Sequence, residues 1–144
     1  MDTRHIREGA VLYLPVFVSG ALFAAGDVHA VMGDGEVAIC GLETTSELTV
    51  KLDLVKGVAE EWPVLFANDR VYAVCSAQTL DEAALLARES LLAYLKKRAN
   101  ATVEELVMLM SLAADLEISQ IVDPLATVRM GMRQGDLFPY ETLI

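Results

Sequence analysis

The sequence predicts an α+β fold: a mainly antiparallel, β-sandwich-like body followed by two helices and a final strand. Three features carry this expectation. Ala10 to Ala77 shows β-branched runs and period-two alternation, the apolar period becomes helical from Thr79, and Ala126–Met132 alternates again. Strands, then helices, then a strand is the order of an α+β protein, not of an alternating parallel one.

Val11–Val18 is apolar and β-branched and reads as a strand, with a turn at Ser19-Gly20. Gly33-Asp34-Gly35 reads as a tight turn, because glycine supplies positive φ. Glu36–Thr44 reads as the next strand. In Ser46–Val55, Leu48, Val50, Leu52 and Leu54 alternate with Glu47, Thr49, Lys51 and Asp53, the pattern of a half-buried antiparallel strand. Trp62–Phe66 and Arg70–Ser76 make a further pair around an Asn68-Asp69 turn.

Thr79-Leu80-Asp81-Glu82 is a capping-box pattern, in which the hydroxyl and the carboxylate satisfy backbone N–H groups at a helix start. That helix turns Leu85, Leu92 and Leu95 toward a core and ends in Lys96, Lys97 and Arg98, where cations suit the helix dipole. Asn100 marks the stop. Thr102-Val103-Glu104-Glu105 opens a second helix carrying Leu106, Leu109, Met110 and Ala113, and Asp123-Pro124 breaks the chain before the last strand. No stretch has the composition of a linker, so residues 1–144 read as one domain.

Hydrophobic residues make up 54% and charged residues 22%, which excludes a disordered chain. Lys+Arg is 11 against Asp+Glu 21, a formal charge of −10. Nucleic acids and anionic membranes both demand clustered cations, so neither is expected as a partner. Cys40 and Cys75 lie in apolar sequence without CxxC spacing and read as buried thiols of a reducing, cytoplasmic compartment. The uncharged run Ala10–Gly26 is shorter than a membrane span and interrupted by Pro15. Asp2 and Glu8 dilute the positive region before it, so buried strands are expected there rather than a signal peptide.

The densest polar cluster inside apolar sequence is Gly26–Glu36. Asp27 and His29 are two apart and share a strand face, and the turn at Gly33–Gly35 brings Asp34 or Glu36 back toward them. Imidazole with carboxylates suits Zn²⁺ or a similar divalent ion. Oxygen-only coordination by Asp27, Asp34 and Glu36 would instead suit Ca²⁺. A spare carboxylate would serve as general base. The competing reading is a hydrogen-bonded loop with no ligand. His5 reads as a solvated side chain near a terminus. Ser76 and Cys75 lack a nucleophile elbow or a local base, and Met108, Met110, Met130 and Met132 read as core packing.

At these residues the chain resembles the acetamidase/formamidase family. The resemblance is carried by Leu14-Pro15-Val16, Gly20-Ala21-Leu22-Phe23, Gly26-Asp27 with His29-Ala30, Gly33-Asp34-Gly35-Glu36 and Glu43-Thr44. Ser111–Arg129 resembles the same family's tail. The resemblance implies a metal-assisted hydrolase that releases ammonia from a short-chain amide, formamide or acetamide in kind. It implies Asp27, His29 and Asp2 as metal ligands, and Glu36 as general base, with Asp34 orienting either Glu36 or the metal-bound water. Family members are about twice this long, and this chain resembles their C-terminal half. Met1-Asp2 stands where the family has an internal Gly-Gly-Asn-Met-Asp-like stretch. The expected partners are therefore a small amide and either a complementary N-terminal half or a second copy of the chain. The alternative is a non-catalytic remnant that binds a ligand or subunit.

Overall fold

The computed structural model describes residues 1–58 and 60–137. Its centre is a five-stranded sheet built from β1 (Val11–Tyr13), β4 (Val64–Ala67), β5 (Arg70–Ala77), β6 (Asp115–Gln120) and β7 (Ala126–Arg133). The strand order is β1-β4-β5-β7-β6 and every pair is antiparallel. A separate ribbon pairs β2 (His29–Val31) with β3 (Leu42–Glu43). Two helices, α1 (Leu80–Lys96) and α2 (Val103–Ala113), lie between β5 and β6 in the chain. The α+β class expected from the sequence is therefore the observed one.

Alternation sorts the sheet's two faces. Val71, Ala73 and Cys75 of β5 and Val128 and Met132 of β7 pack against the helices. Ala83 and Ala87 are fully buried there, and their small side chains let α1 approach Cys75 and Val128 closely. Leu91, Tyr94 and Leu95 of α1 join Leu106 and Met110 of α2 in the main apolar cluster. Leu85 is half exposed, because it falls outside the face set by Ala83, Ala87, Leu91 and Leu95. Met108 likewise points outward, whereas Met110 and Met132 are core residues as expected. On the opposite face Leu65, Tyr72 and Val74 are covered by Ala10 and Leu12, beside buried Thr127 and Arg129. Tyr72 lies across its register partner Gly131, where a Cβ would sit 2.2 Å from the ring.

Local signals held where side chain and backbone satisfy one another. Asn68 and Asp69 both take positive φ, the geometry of a two-residue hairpin turn. Both capping boxes form: Thr79 with Glu82, and Thr102 with Glu105. Arg98 stacks over Tyr94 at 3.9 Å, bonds Glu60 at 2.8 Å and donates to the Tyr94 carbonyl near the end of α1. No described helix is long and apolar enough to cross a membrane.

The expected strands between residues 14 and 58 are largely corrected. The first ends at Tyr13, although the Ser19-Gly20 turn forms. Of Glu36–Thr44 only Leu42–Glu43 is strand, and Ser46–Val55 belongs to no strand. The strand β6 escaped the sequence reading, since Asp115–Gln120 follows α2 with only Ala114 between them. Cys40 is exposed rather than buried, while Cys75 is buried as expected; both are free.

Two outcomes follow from these local arrangements. Burial pushes the Cys75 thiol up to about 12, so at about pH 8 a maleimide should label Cys40 at once and Cys75 only on denaturation. Mass mapping of the labelled peptides checks this. Backbone and side-chain hydrogen bonds from Thr102 hold the Glu105 carboxyl below its ordinary value. A depressed carboxyl stabilises the fold above its unfolded pKa, and that contribution is lost as pH falls through the folded one. Glu105→Gln should therefore flatten the fall in thermal midpoint between about pH 6 and pH 3, measured by circular dichroism.

Candidate functional site

The β2–β3 ribbon places His29 directly opposite Glu43. His29 Nε2 lies 2.9 Å from Glu43 Oε1 and 3.4 Å from Asp27 Oδ1, and Nδ1 lies 3.8 Å from Glu36 Oε1. The side chains of His29 and Glu36 are 7% and 5% exposed, whereas those of Asp27 and Glu43 are 59% exposed. One donor atom each from Asp27, His29 and Glu43 falls within 4.8 Å of the others. The hydrogen bond to Glu43 raises the His29 pKa, against the effect of burial and with help from the charges of Glu43, Asp27 and Glu36. Three carboxylates around one imidazole form a strongly cation-attracting set.

Glu36 is held beneath the ring by its backbone. Its φ is +44°, a left-handed conformation, and its Oε1 accepts the Gly41 N–H at 3.1 Å. Gly41 permits this because the imidazole rests against it: a Cβ would sit 2.7 Å from His29 Cγ. An open cavity of about 510 Å³, lined by Val31, Glu36, Val37, Cys40, Gly41 and Leu42, lies alongside.

Asp34 faces away from this group. Both of its oxygens accept from Arg129 Nη2 at 2.9 Å, and Arg4 pairs with it at 3.0 Å. The Arg129 side chain is fully buried and also bonds Glu117, Ser119 Oγ at 3.1 Å and Thr3 Oγ1 at 3.3 Å. The next residue, Gly35, docks on the C-terminal end of β6 through Gly35 N to Ser119 O and Ile121 N to Gly35 O. His5 is not a solvated side chain. It is largely buried, packs on Tyr72 with ring centroids 5.1 Å apart, and lies 3.4 Å from Glu117.

Asp2 lies outside the Asp27–His29–Glu43 group and shares a hydrogen bond with Asp123. Burial pushes Asp2 up, but that bond and the N-terminal ammonium hold it below the usual carboxylate range; Asp123 is pushed up by the same bond. The Asp27 charge adds a smaller upward push on Asp123. Ser76 bonds Thr127 Oγ1 at 2.8 Å, a structural contact. The sequence reading missed Glu43 and Asp123. Glu43 was legible in principle: it and His29 flank Glu36 symmetrically, as ribbon partners around a turn must.

A sheet backed by helices on one face, with a histidine–carboxylate ribbon beside its other face, defines an α+β protein with a candidate divalent-metal site. Residues 1–132 match the acetamidase/formamidase family, and the chain belongs to it. It is 38% identical over 64 residues to an acetamidase of Mycolicibacterium smegmatis, covering 44% of this chain and 16% of that protein. A formamidase of Methylophilus methylotrophus is 31% identical over 64 residues, again 44% and 16%. The crystal structure of a recombinant acetamidase/formamidase from Thermoanaerobacter tengcongensis superposes with TM-score 0.93 at 38% identity, covering 97% of this chain and 46% of that one. An acetamidase from Bacillus halodurans gives 0.89 at 42% identity, covering 93% and 45%. The chain thus spans less than half the length of these solved structures.

Removing the buried cation should cost most among single changes at this site. Arg129→Met leaves Asp34 and Glu117 facing a buried gap, at about 3 kcal/mol. That lies at the low end for a broken buried pair because Arg4 and His5 remain and both carboxylates reach some solvent. Urea titration of the variant against wild type checks the figure.

Proposed function

We propose that this chain contributes the metal-holding portion of a hydrolase acting on short-chain amides, of the formamide or acetamide kind. The observation that carries the proposal is the convergence of Asp27, His29 and Glu43 beside buried Glu36, within a family whose relatives are called acetamidases and formamidases. One imidazole and two carboxylates suit Zn²⁺, with Ca²⁺ the alternative if the oxygens dominate. Such an ion, when bound, polarises a carbonyl and makes water a better nucleophile near neutral pH. Asp27, His29 and Glu43 hold it in this reading, and the Asp2–Asp123 pair is the candidate further carboxylate.

Glu36 supplies the base. Its Oε1 is fixed by the Gly41 N–H and faces His29 Nδ1, so its carboxylate is positioned to take a proton from an attacking water and return it to the departing amine. Asp34 acts on Glu36 through the backbone: its ion pair with Arg129 pins the turn from which Glu36 projects. The adjacent cavity would take a small amide. The two free cysteines, one exposed and one buried, suit a reducing, cytoplasmic setting. Because the chain spans 46% of its solved relative, a complete site is proposed to need the remainder of the fold, or a second copy of this chain.

One observation favours a second reading, a non-catalytic remnant that binds a ligand or a subunit: the side chain of His29 is only 7% exposed. Ammonia release from formamide and acetamide, with and without Zn²⁺ and with a chelator control, separates the two. The hydrolytic reading expects release that requires the metal; no release under any metal, from this chain alone or joined to the rest of the fold, supports the remnant. Calorimetry should show Zn²⁺ affinity lowered in His29→Ala by more than the roughly 10- to 100-fold typical of losing an outer hydrogen-bond partner. Unchanged affinity removes His29 from the ligand set.

A further inference from the structure

We infer that Ser46–Val55 is a docking strand, and that its occupant is the remaining part of the acetamidase/formamidase fold, which pairs with it edge to edge and covers the apolar side chains of residues 14–58. The inference rests on family membership, not on the hydrolytic reading.

The alternation in Ser46–Val55 is that of a strand with one buried face, yet the segment has no strand partner among the described residues. Leu48, Val50, Leu52 and Leu54 are 58%, 47%, 65% and 59% exposed, and the polar residues between them are exposed as well. A sequence selected for a buried face that is instead solvated on both faces lacks its sheet. The apolar exposure continues through Phe17, Leu22, Val37 and Ile39, each more than three-quarters exposed. Large apolar exposure of this extent marks an interaction surface.

Backbone strain falls in the same region. Ala21, Leu22 and Ile39 take φ of +58°, +53° and +82°, although only glycine adopts such values without cost. For a β-branched residue at the surface, strain of this kind persists only where surrounding structure imposes it, and the described residues leave Ile39 79% exposed.

The size of the solved relative identifies what imposes it. The T. tengcongensis chain reproduces 97% of this one at TM-score 0.93 while less than half of its own length is used. The backbone of this chain thus superposes, over nearly its whole length, on part of a chain more than twice as long. The portion outside the match has the length to supply the missing strands.

The test uses the 144-residue chain and, as probe, the part of the T. tengcongensis protein outside the match, produced as a separate polypeptide. Light scattering after gel filtration gives the stoichiometry, and amide hydrogen exchange reads residues 46–55. The expected result is a one-to-one complex in which exchange at 46–55 slows by about 100-fold or more. The exposed double change Val50→Asp with Leu52→Asp should abolish the complex without moving the thermal midpoint of the free chain. Thr49→Pro, which removes a ladder donor, should weaken it. Self-association that protects 46–55 without the probe would assign the surface to a second copy and overturn the inference. So would no complex, or a complex that leaves 46–55 exchanging or tolerates the double change. Neither substrate nor metal enters the measurement, so its failure and a failure of the hydrolytic reading are distinguishable.

Discussion

The buried guanidinium of Arg129 is the constraint on which the arrangement around the site depends. A fully desolvated cation is tolerated only when carboxylates and hydroxyls surround it. Here four partners come from three stretches of chain: Thr3, Asp34, and Glu117 with Ser119 on β6. Because β7 alternates, Val128 and Met132 turn toward the helices and Arg129 must turn the other way. Its charge then selects what can cover that face. The Gly33–Glu36 turn docks there by Asp34, with Gly35 bridged to the end of β6, and Glu36 is delivered beneath His29. The sheet thus sets the site through one ion pair and two backbone hydrogen bonds.

This division explains what the sequence disclosed. Both helices, their caps and the Asn68-Asp69 hairpin were legible because each is decided within a few residues, by a hydroxyl, a carboxylate or a positive φ. Asp27, His29 and Glu36 were legible because the polar cluster is local as well. Glu43 needed the ribbon register as well, although its spacing from Glu36 matches that of His29, and Asp123 was not legible because its contact with Asp2 comes from the far end of the chain. The role of Asp34 was half legible: the residue could be found, but its partner Arg129 lies 95 residues away. The burial of His5 depended in the same way on Tyr72 and Glu117.

The strands expected at Val11–Val18, Glu36–Thr44 and Ser46–Val55 failed for a different reason. Their alternation and β-branched content are real, but a strand exists only with a partner edge, and strand propensity measures fit to neighbours rather than an intrinsic preference. Where the partner lies among the described residues, as β4 does for Val11–Tyr13, the strand forms. It stops where that partner ends. The pattern in these segments is that of strands whose partner edges are not among the described residues.

The candidate site and the proposed docking surface are coupled through the backbone. Ile39, Cys40 and Gly41 link the two: Gly41 carries the imidazole and the hydrogen bond to Glu36, while Ile39, two residues earlier, is strained and solvent-facing. Fixing a backbone residue costs about 1–2 kcal/mol, and for residues 36–41 the described structure offsets that cost on one side only, through the Gly41 N–H and the Gly35 contacts. Packing against Ile39 and Val37 would supply the other side. A partner that covers the apolar arm would therefore hold Glu36 in its left-handed conformation without touching it, and completion of the fold and alignment of the base would be one event.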